Sequence, residues 1–437
     1  MLKRLKIQFE DFVRFHPATR NALAYWTLLK TRGAKASNTA EATQTVEKLC
    51  QAARLTTTEA MMRKVEAAIE RQLPAINPAE VPWSEYYPDF NDELLWKAIV
   101  LKPYVSAREK GVVFISFDTR MAQLAKSKDL KAFAERYTLV LSPQWSPPHS
   151  IATYLFPLLY PDDIFCLISN ERDMVYFPRI SKRYRMIPLY ASSWVDARKY
   201  TPVERAEKDI DIFMLANFAK YKRHHALFAA LRDVPKKYRI VLVGQRDGGR
   251  TRETILEEAR AFGVEDRFEI RENVSEQELH DTFVRAKTSL ILSRREGSCV
   301  AVVESMFANT PVAVYEDAEV GSRAFVNAQT GKLLRREGVG AQLAAFVEES
   351  AQYEPRKWVM ENGVDCIASS AVLNEALKTA ALGNGAEWTE DIATLRWRPD
   401  PRYYFPEDLE RLRPSYEDLE KRCGIVISRV KLGEIAG

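Results

Sequence analysis

No two of the five cysteines, Cys50, Cys166, Cys299, Cys366 and Cys423, stand at C-x-x-C spacing, and their number is odd. That argues against a disulfide framework and a cysteine-built zinc site, and it fits a reduced, cytoplasmic chain. Charge of one sign is also lacking: 64 Lys and Arg stand against 60 Asp and Glu, a formal +4. So small an excess over 437 residues marks no nucleic-acid binder, and any basic function must be local. The longest uncharged run, Tyr137 to Pro161, is broken by Pro143, Pro147, Pro148, Pro157 and Pro161, which excludes a membrane-spanning helix there. Met1 to Lys6 is followed by Glu10, Asp11 and Arg14 instead of an apolar stretch, so neither a secretory signal nor a transit peptide is expected. Neither G-x-x-x-x-G-K-[ST] nor G-x-G-x-x-G occurs, which leaves P-loop hydrolysis and dinucleotide oxidation without support.

What is present is an ordinary globular composition, 46% hydrophobic and 28% charged, long enough for two or three domains with their own cores. Residues 1–90 read as an N-terminal helical extension. Its first segment places Leu2, Leu5, Phe9, Phe12 and Val13 at helical spacing among Lys3, Arg4, Lys6, Arg14 and Arg20. Such a helix fits two roles, a peripheral contact with anionic lipid at the inner face of a membrane, or a helix packed on the protein with its basic side in water. A second helix is expected over Thr57 to Gln72, then a Pro-rich, aromatic linker from Leu73 to Phe90.

From 91 to 203 the apolar runs Trp96–Leu101, Gly111–Phe117, Tyr137–Leu141, Ile164–Ile168 and Arg185–Leu189 alternate with helical stretches and predict βαβ units. The alternation is clearer over 204–384. Short buried strands are expected at Ile210–Leu215, Tyr238–Val243, Arg267–Ile270, Ser289–Leu292 and Val312–Tyr315, separated by helices, hence a parallel, Rossmann-like sheet. Residues 385–437 form a less regular tail that could fold back on the first domain. The expected class is α/β with two Rossmann-like domains and an extra helical segment.

In doubly wound sheets ligands bind beyond the carboxyl ends of the strands, so the loops after Leu215 and Leu292 carry the candidates. The first reads Asn217-Phe-Ala-Lys220-Tyr-Lys222-Arg223 and opens a helix, a setting where cations and free amides together suit a diphosphate, although a solvated basic patch explains it as well. The second runs from Ser289 through Glu296, Gly297, Ser298, Cys299 and Val300 to Glu304. A helix starting near Ser298 aims the amides of 297–300 at a ligand, with Glu304 farther along its flank.

Ser293 to Val314 resembles the E-x7-E signature of retaining GT-B glycosyltransferases of the family 4 type. Gly321 and Arg323–Leu334, Tyr238–Gly244, and Met186–Ala191 with Tyr200-Thr-Pro resemble flanking segments of the same family. The resemblance implies two Rossmann-like domains facing a cleft, a nucleoside-diphosphate-sugar donor on the second and an acceptor, a glycan or lipid-linked molecule, on the first. By this resemblance Glu304 matches the ribose-binding acid and Glu296 the acid facing the donor sugar. Gly297, Ser298, Cys299 and Val300 would supply amides, and Lys222 would neutralise the diphosphate. The family's usual arginine is replaced here by Asn217, a slot that Lys220 or Arg223 could fill.

The resulting expectation is a metal-independent retaining glycosyltransferase of hexosyltransferase type, with no cofactor beyond its donor. The alternatives are a nucleotide-sugar 2-epimerase and a catalytically silent glycan-binding protein of the same fold. Weaker candidates remain. His149 fits an acceptor-side base, a donor-sugar contact or a structural loop histidine. Lys102 and Arg108 fit either a phosphate contact or a solvated loop. His224-His225 reads as surface, Cys299 as a packing residue more than a nucleophile, and Asp209-Ile-Asp211 as a D-x-D pattern at the wrong end of a strand for metal.

Overall fold

The computed structural model describes residues 2–33, 36–87, 94–126, 129–397 and 400–427; the end of the expected linker at 88–90, the 90/91 boundary and the last ten residues lie outside them. The chain divides into two compact units, Val13–Trp194 with Cys366–Gly437, and Met1–Phe12 with Val195–Asp365. We refer to them as the N-unit and the C-unit.

The N-unit begins with helices whose starts are written in the sequence. After α1 (Leu2–Phe15), α2 (Pro17–Thr31) opens on a proline at its first turn, where no amide is needed. Asn38 accepts the Glu41 N–H to cap α3 (Thr39–Leu55), and Thr58 accepts the Met61 N–H to cap α4 (Glu59–Glu70). Val46, Leu49, Val65 and Ile69 turn inward from α3 and α4, and the one-turn α5 (Trp83–Tyr86) buries Trp83 beside them.

The N-unit sheet has the order β1 (Ala98–Lys102), β2 (Gly111–Ser116), β3 (Tyr137–Ser142), β4 (Ile164–Ile168), β5 (Tyr184–Tyr190). Its first strand is antiparallel and the others are parallel. Helices α6 (Thr119–Ala125), α7 (Leu130–Arg136), α8 (Ile151–Leu159) and α9 (Asp173–Ile180) connect strands that are neighbours in sequence order. Right-handed crossovers then lay all four on one face, and the other must be covered by different chain. The tail does this. Tyr403 donates to the Val100 carbonyl at 2.7 Å and Tyr416 accepts the Val100 N–H at 3.2 Å, while Leu373, Leu377 and Leu412 join the same core.

The C-unit sheet is wholly parallel. It contains β6 (Ile212–Leu215), β7 (Ile240–Gly244), β8 (Glu269–Glu272), β9 (Ser289–Ile291), β10 (Val312–Tyr315) and β11 (Gly331–Leu334), in the spatial order β11-β10-β9-β6-β7-β8. Helices α10 (His224–Ala230), α11 (Arg252–Phe262), α12 (Glu276–Arg285), α13 (Val300–Phe307), α14 (Val339–Glu349) and α15 (Pro355–Glu361) complete it. The tail of the N-unit supplies α16 (Cys366–Gly383), the hairpin β12 (Leu395–Trp397) and β13 (Pro401–Tyr403), and α17 (Glu407–Asp418). The C-unit winding reverses between β6 and β9, the doubly wound Rossmann pattern. β8 is a half-exposed edge strand and not the buried strand expected from its sequence, because Glu269, Arg271 and Glu272 have water on that side. Both units are Rossmann-like α/β layers, as the sequence pattern implies.

Candidate functional site

The reversal of winding is what brings the two candidate loops together. The loop after β6 and the loop after β9 leave neighbouring strands in opposite crossover directions, which opens a crevice between them. Lys222, closing a 3-10 turn over Lys220–Lys222, donates to Glu296 Oε2 at 2.7 Å. Both side chains are nearly buried. Burial alone would depress the Lys222 ammonium, but Glu296 beside it outweighs this and raises its pKa. Glu296 Oε1 is buried and receives no N–H or O–H donor among the described residues, with the Cys299 thiol beside this carboxylate.

Each loop enters its helix through a non-glycine residue in the left-handed region, Arg223 at φ +57° before α10 and Cys299 at φ +48° before α13. Such a conformation costs about 1–3 kcal/mol and persists where the surroundings fix it. Here the surroundings are visible. The loop 294–299 is pinned by Glu319 N–H to Arg294 O at 2.7 Å, Glu296 N–H to Glu319 O at 3.1 Å, Gly321 N–H to Gly297 O at 2.9 Å and Ser322 N–H to Ser298 O at 3.2 Å. Ser298 is buried and Val300, the first residue of α13, half-buried. Gly244 at the end of β7 holds the other loop close: a Cβ there would stand 2.3 Å from the Ala216 carbonyl oxygen.

Glu304, buried in the second turn of α13, accepts a hydrogen bond from Tyr200 Oη at 2.9 Å. The sequence marks Tyr200 only as part of a flanking segment of the resemblance and gives it no role at the site. Asn217 donates to Asp247, a partner also missed. The Cys299 thiol is pushed up by burial and by Glu296, so it is not a thiolate nucleophile.

The rest of the basic cluster faces elsewhere. Arg223 is buried, held by Asp11 of α1 through two hydrogen bonds at 2.8 and 2.9 Å and by the Leu292 carbonyl at 3.0 Å. Exposed Lys220 pairs with Glu10 at 3.1 Å. The partners from α1, some 210 residues away, leave no trace in local sequence. His224 is buried against Phe218 with its pKa lowered to about 3, chiefly by burial, and His225 lies 3.3 Å from Asp11; the reading of this pair as surface is corrected because α10 turns them toward the core and α1.

His149 belongs to the N-unit. It is wholly buried, Nε2 lies 3.3 Å from Glu66 Oε1 of α4, and burial lowers its pKa. Nδ1 has no partner among the described residues. The ring borders a cavity of about 240 Å³ at the carboxyl ends of β2 and β3, whose walls include Glu47 and Arg54 of α3, Tyr87, Asp118 and Trp145. Lys102 is buried in an ion pair with Glu109 at 2.7 Å and Arg108 pairs with Glu387, so neither is placed to meet a phosphate. Asp209 holds Arg239 and Arg285, and Asp211 holds Lys287 at 2.7 Å; among the described residues no cluster suited to a metal is found.

Residues 197–352 match the family described as Glycosyl transferases group 1. No curated protein matches the chain. Among solved structures it is similar to HepE of Anabaena in complex with UDP and glucose, with 13% identity over 61% of this chain and 78% of that one, at a TM-score of 0.49. Sucrose-phosphate synthase from Thermosynechococcus elongatus shares 14% identity over 76% and 82%, also at 0.49. TarM of S. aureus shares 10% over 61% of this chain, at 0.47; the chain spans about half of TarM, 54% of its length. A group 1 glycosyltransferase domain in one Rossmann-like unit, joined in the same chain to a second, is the composition of a GT-B fold.

Proposed function

We propose, from the premise that residues 197–352 are a glycosyltransferase group 1 domain, that the chain is a retaining enzyme of the family 4 type. It moves a sugar from a nucleoside diphosphate to a glycan or lipid-linked acceptor and needs no metal. The observation that carries this reading is the buried Lys222–Glu296 pair at the point where the winding reverses. A cation, the amides opening α13 and a carboxylate oxygen that no described N–H or O–H reaches together suit a sugar diphosphate.

In this reading Lys222 turns to the diphosphate, and Glu296, released, accepts hydroxyls of the donor sugar. Glu304, steadied by Tyr200, takes the ribose hydroxyls. The bond from the anomeric carbon to the phosphate oxygen breaks while the acceptor oxygen bonds to the same face of that carbon. The acceptor's proton passes to the departing phosphate. Charge grows on the phosphate oxygens as the bond breaks, so fixed donors there lower the barrier. HepE was solved with UDP and glucose, which makes UDP-glucose the first donor to test. We assign the acceptor to the N-unit, where the His149 cavity offers Asp118 and Glu47 as hydroxyl acceptors and Trp145 as an aromatic wall.

We place the enzyme in the cytoplasm, at the inner face of a membrane. α1 supports this, because it sets Asp11 and Arg4 against the C-unit while Leu2 and Phe9, 82% and 67% exposed, point away from it with Leu5 and Phe12. Among the described residues no helix is long and apolar enough to cross a membrane.

Donor turnover with and without a glycan acceptor, followed by the anomeric configuration of the product, tests the reading. Transfer with retention that vanishes in Glu296→Gln supports it. Consumption of donor without acceptor points instead to an epimerase, and diphosphate binding without turnover to a silent glycan-binding protein.

A further inference from the structure

A second apolar surface lies in the N-unit, on helices that the transfer chemistry does not use. Between α2 and the α3–α4 pair runs a groove of about 910 Å³. Tyr25, Leu28 and Leu29 of α2 form one wall, and Arg32, Lys64 and Arg71 stand around it. Among the described residues no carboxylate lines it. These three cations are exposed, and no ion pair engages them among the described residues. Tyr25 and Leu29 are exposed along the groove, and elsewhere on α2 Leu23 and Trp26 are exposed as well, with Lys30 lying 3.5 Å over the Trp26 ring.

We propose that this groove seats anionic phospholipid at a bilayer surface, the headgroup phosphate among Arg32, Lys64 and Arg71 and the acyl chain against Leu28 and Leu29. Two properties select that occupant. An unbalanced trio of cations asks for an anion, which neutral glycan does not offer. An apolar floor edged by Tyr25 and the exposed Leu29 is the make-up of a side chain layer at the boundary of headgroup and hydrocarbon. An acidic peptide would satisfy the charge and leave most of the floor uncovered. A second copy of the chain would bring the same three cations face to face. The inference rests on the reading that the N-terminal helices meet a membrane, and it names the lipid class and the residues that read it.

The test is cosedimentation of the full chain with vesicles of phosphatidylcholine alone and of phosphatidylcholine mixed with phosphatidylglycerol. Binding to the mixed vesicles, weakened roughly a hundredfold at low ionic strength by the triple change Arg32→Gln, Lys64→Gln, Arg71→Gln, is expected, since each basic residue near such a surface contributes about 1 kcal/mol. Melting temperature and UDP binding of that variant stay at wild-type values. Equal binding to both vesicle types, or a triple variant that binds like wild type, overturns the inference. A dimer dissolved by Leu29→Asp overturns it in favour of a second copy. If Leu5→Ser with Phe9→Ser abolishes binding while the triple variant does not, the groove is wrong and the α1 contact stands. If wild type binds neither vesicle, both membrane readings fall, and the donor site is untouched.

Discussion

Lys222 and Glu296 form a pair that is costly to break from either side. Lys222→Ala strands a carboxylate below the surface and removes the cation we assign to the diphosphate. Loss of one such charge-stabilising donor costs about 3 kcal/mol, roughly a hundredfold in turnover. Steady-state kinetics of Lys222→Ala should find that loss, while Lys220→Ala, a change at an exposed residue paired with Glu10, stays within a few-fold of wild type. Asp11 acts through structure. Burial alone would raise its carboxyl, but hydrogen bonds from His225 and Arg223 outweigh this and hold it well below the ordinary carboxylate value. Asp11→Ala leaves a buried guanidinium without its counter-charge, which costs about 3 kcal/mol. Urea unfolding of the variant should register that loss; an unchanged midpoint would mean that the remaining partners, the Leu292 carbonyl and the Tyr315 ring among them, suffice for Arg223.

Among the elements, the strands and helices of the C-unit are the most legible part of the sequence. Arg252–Phe262 and Glu276–Arg285 are helices between the expected strands, and Val312–Tyr315 is the expected strand. Periodicity works there because each element buries one face against a sheet. It does not reveal that β1 runs antiparallel, since direction is set by pairing and not by the residue pattern. Nor does it reveal the partners of Arg223 and Glu304, which come from Asp11 and Tyr200, far off in the chain. The E-x7-E spacing was legible, but the ion pair between Glu296 and Lys222 exists only because β6 and β9 are neighbours.

Gly244 tests that dependence at the scale of one element. Gly244→Ala forces the β7 end away from Ala216 and shifts the loop that carries Lys222, at about 1–3 kcal/mol for overpacking. Diphosphate affinity should fall with stability, and a variant that keeps full affinity would uncouple the two.

For the molecule as a whole, stability should depend on pH through groups in both units. His224 of the C-unit is lowered to about 3 and His149 of the N-unit is lowered too, both chiefly by burial. A histidine depressed on folding contributes fully above its unfolded value near 6.5 and loses that contribution as pH falls below it. Burial alone would raise Glu109, but Lys102 and the Thr389 donors outweigh this and bring it down to about 2, so its contribution is present above about 4.5 and lost toward 2. Melting temperature should therefore fall in two stages on acidification from pH 7, the first below about 6.5 and the second below about 4.5. His224→Phe should remove part of the first stage; a profile identical to wild type would contradict the neutral buried state.

On the function proposed above, the reversal in the C-unit winding builds a nucleoside-diphosphate site around Lys222. Calorimetric titration of UDP and GDP into wild type, Lys222→Ala and Lys220→Ala addresses it most directly. Saturable binding of at least one diphosphate is expected, weakened tenfold or more by Lys222→Ala and left alone by Lys220→Ala. Equal affinity in wild type and Lys222→Ala, or no diphosphate bound by the wild-type chain, would contradict it.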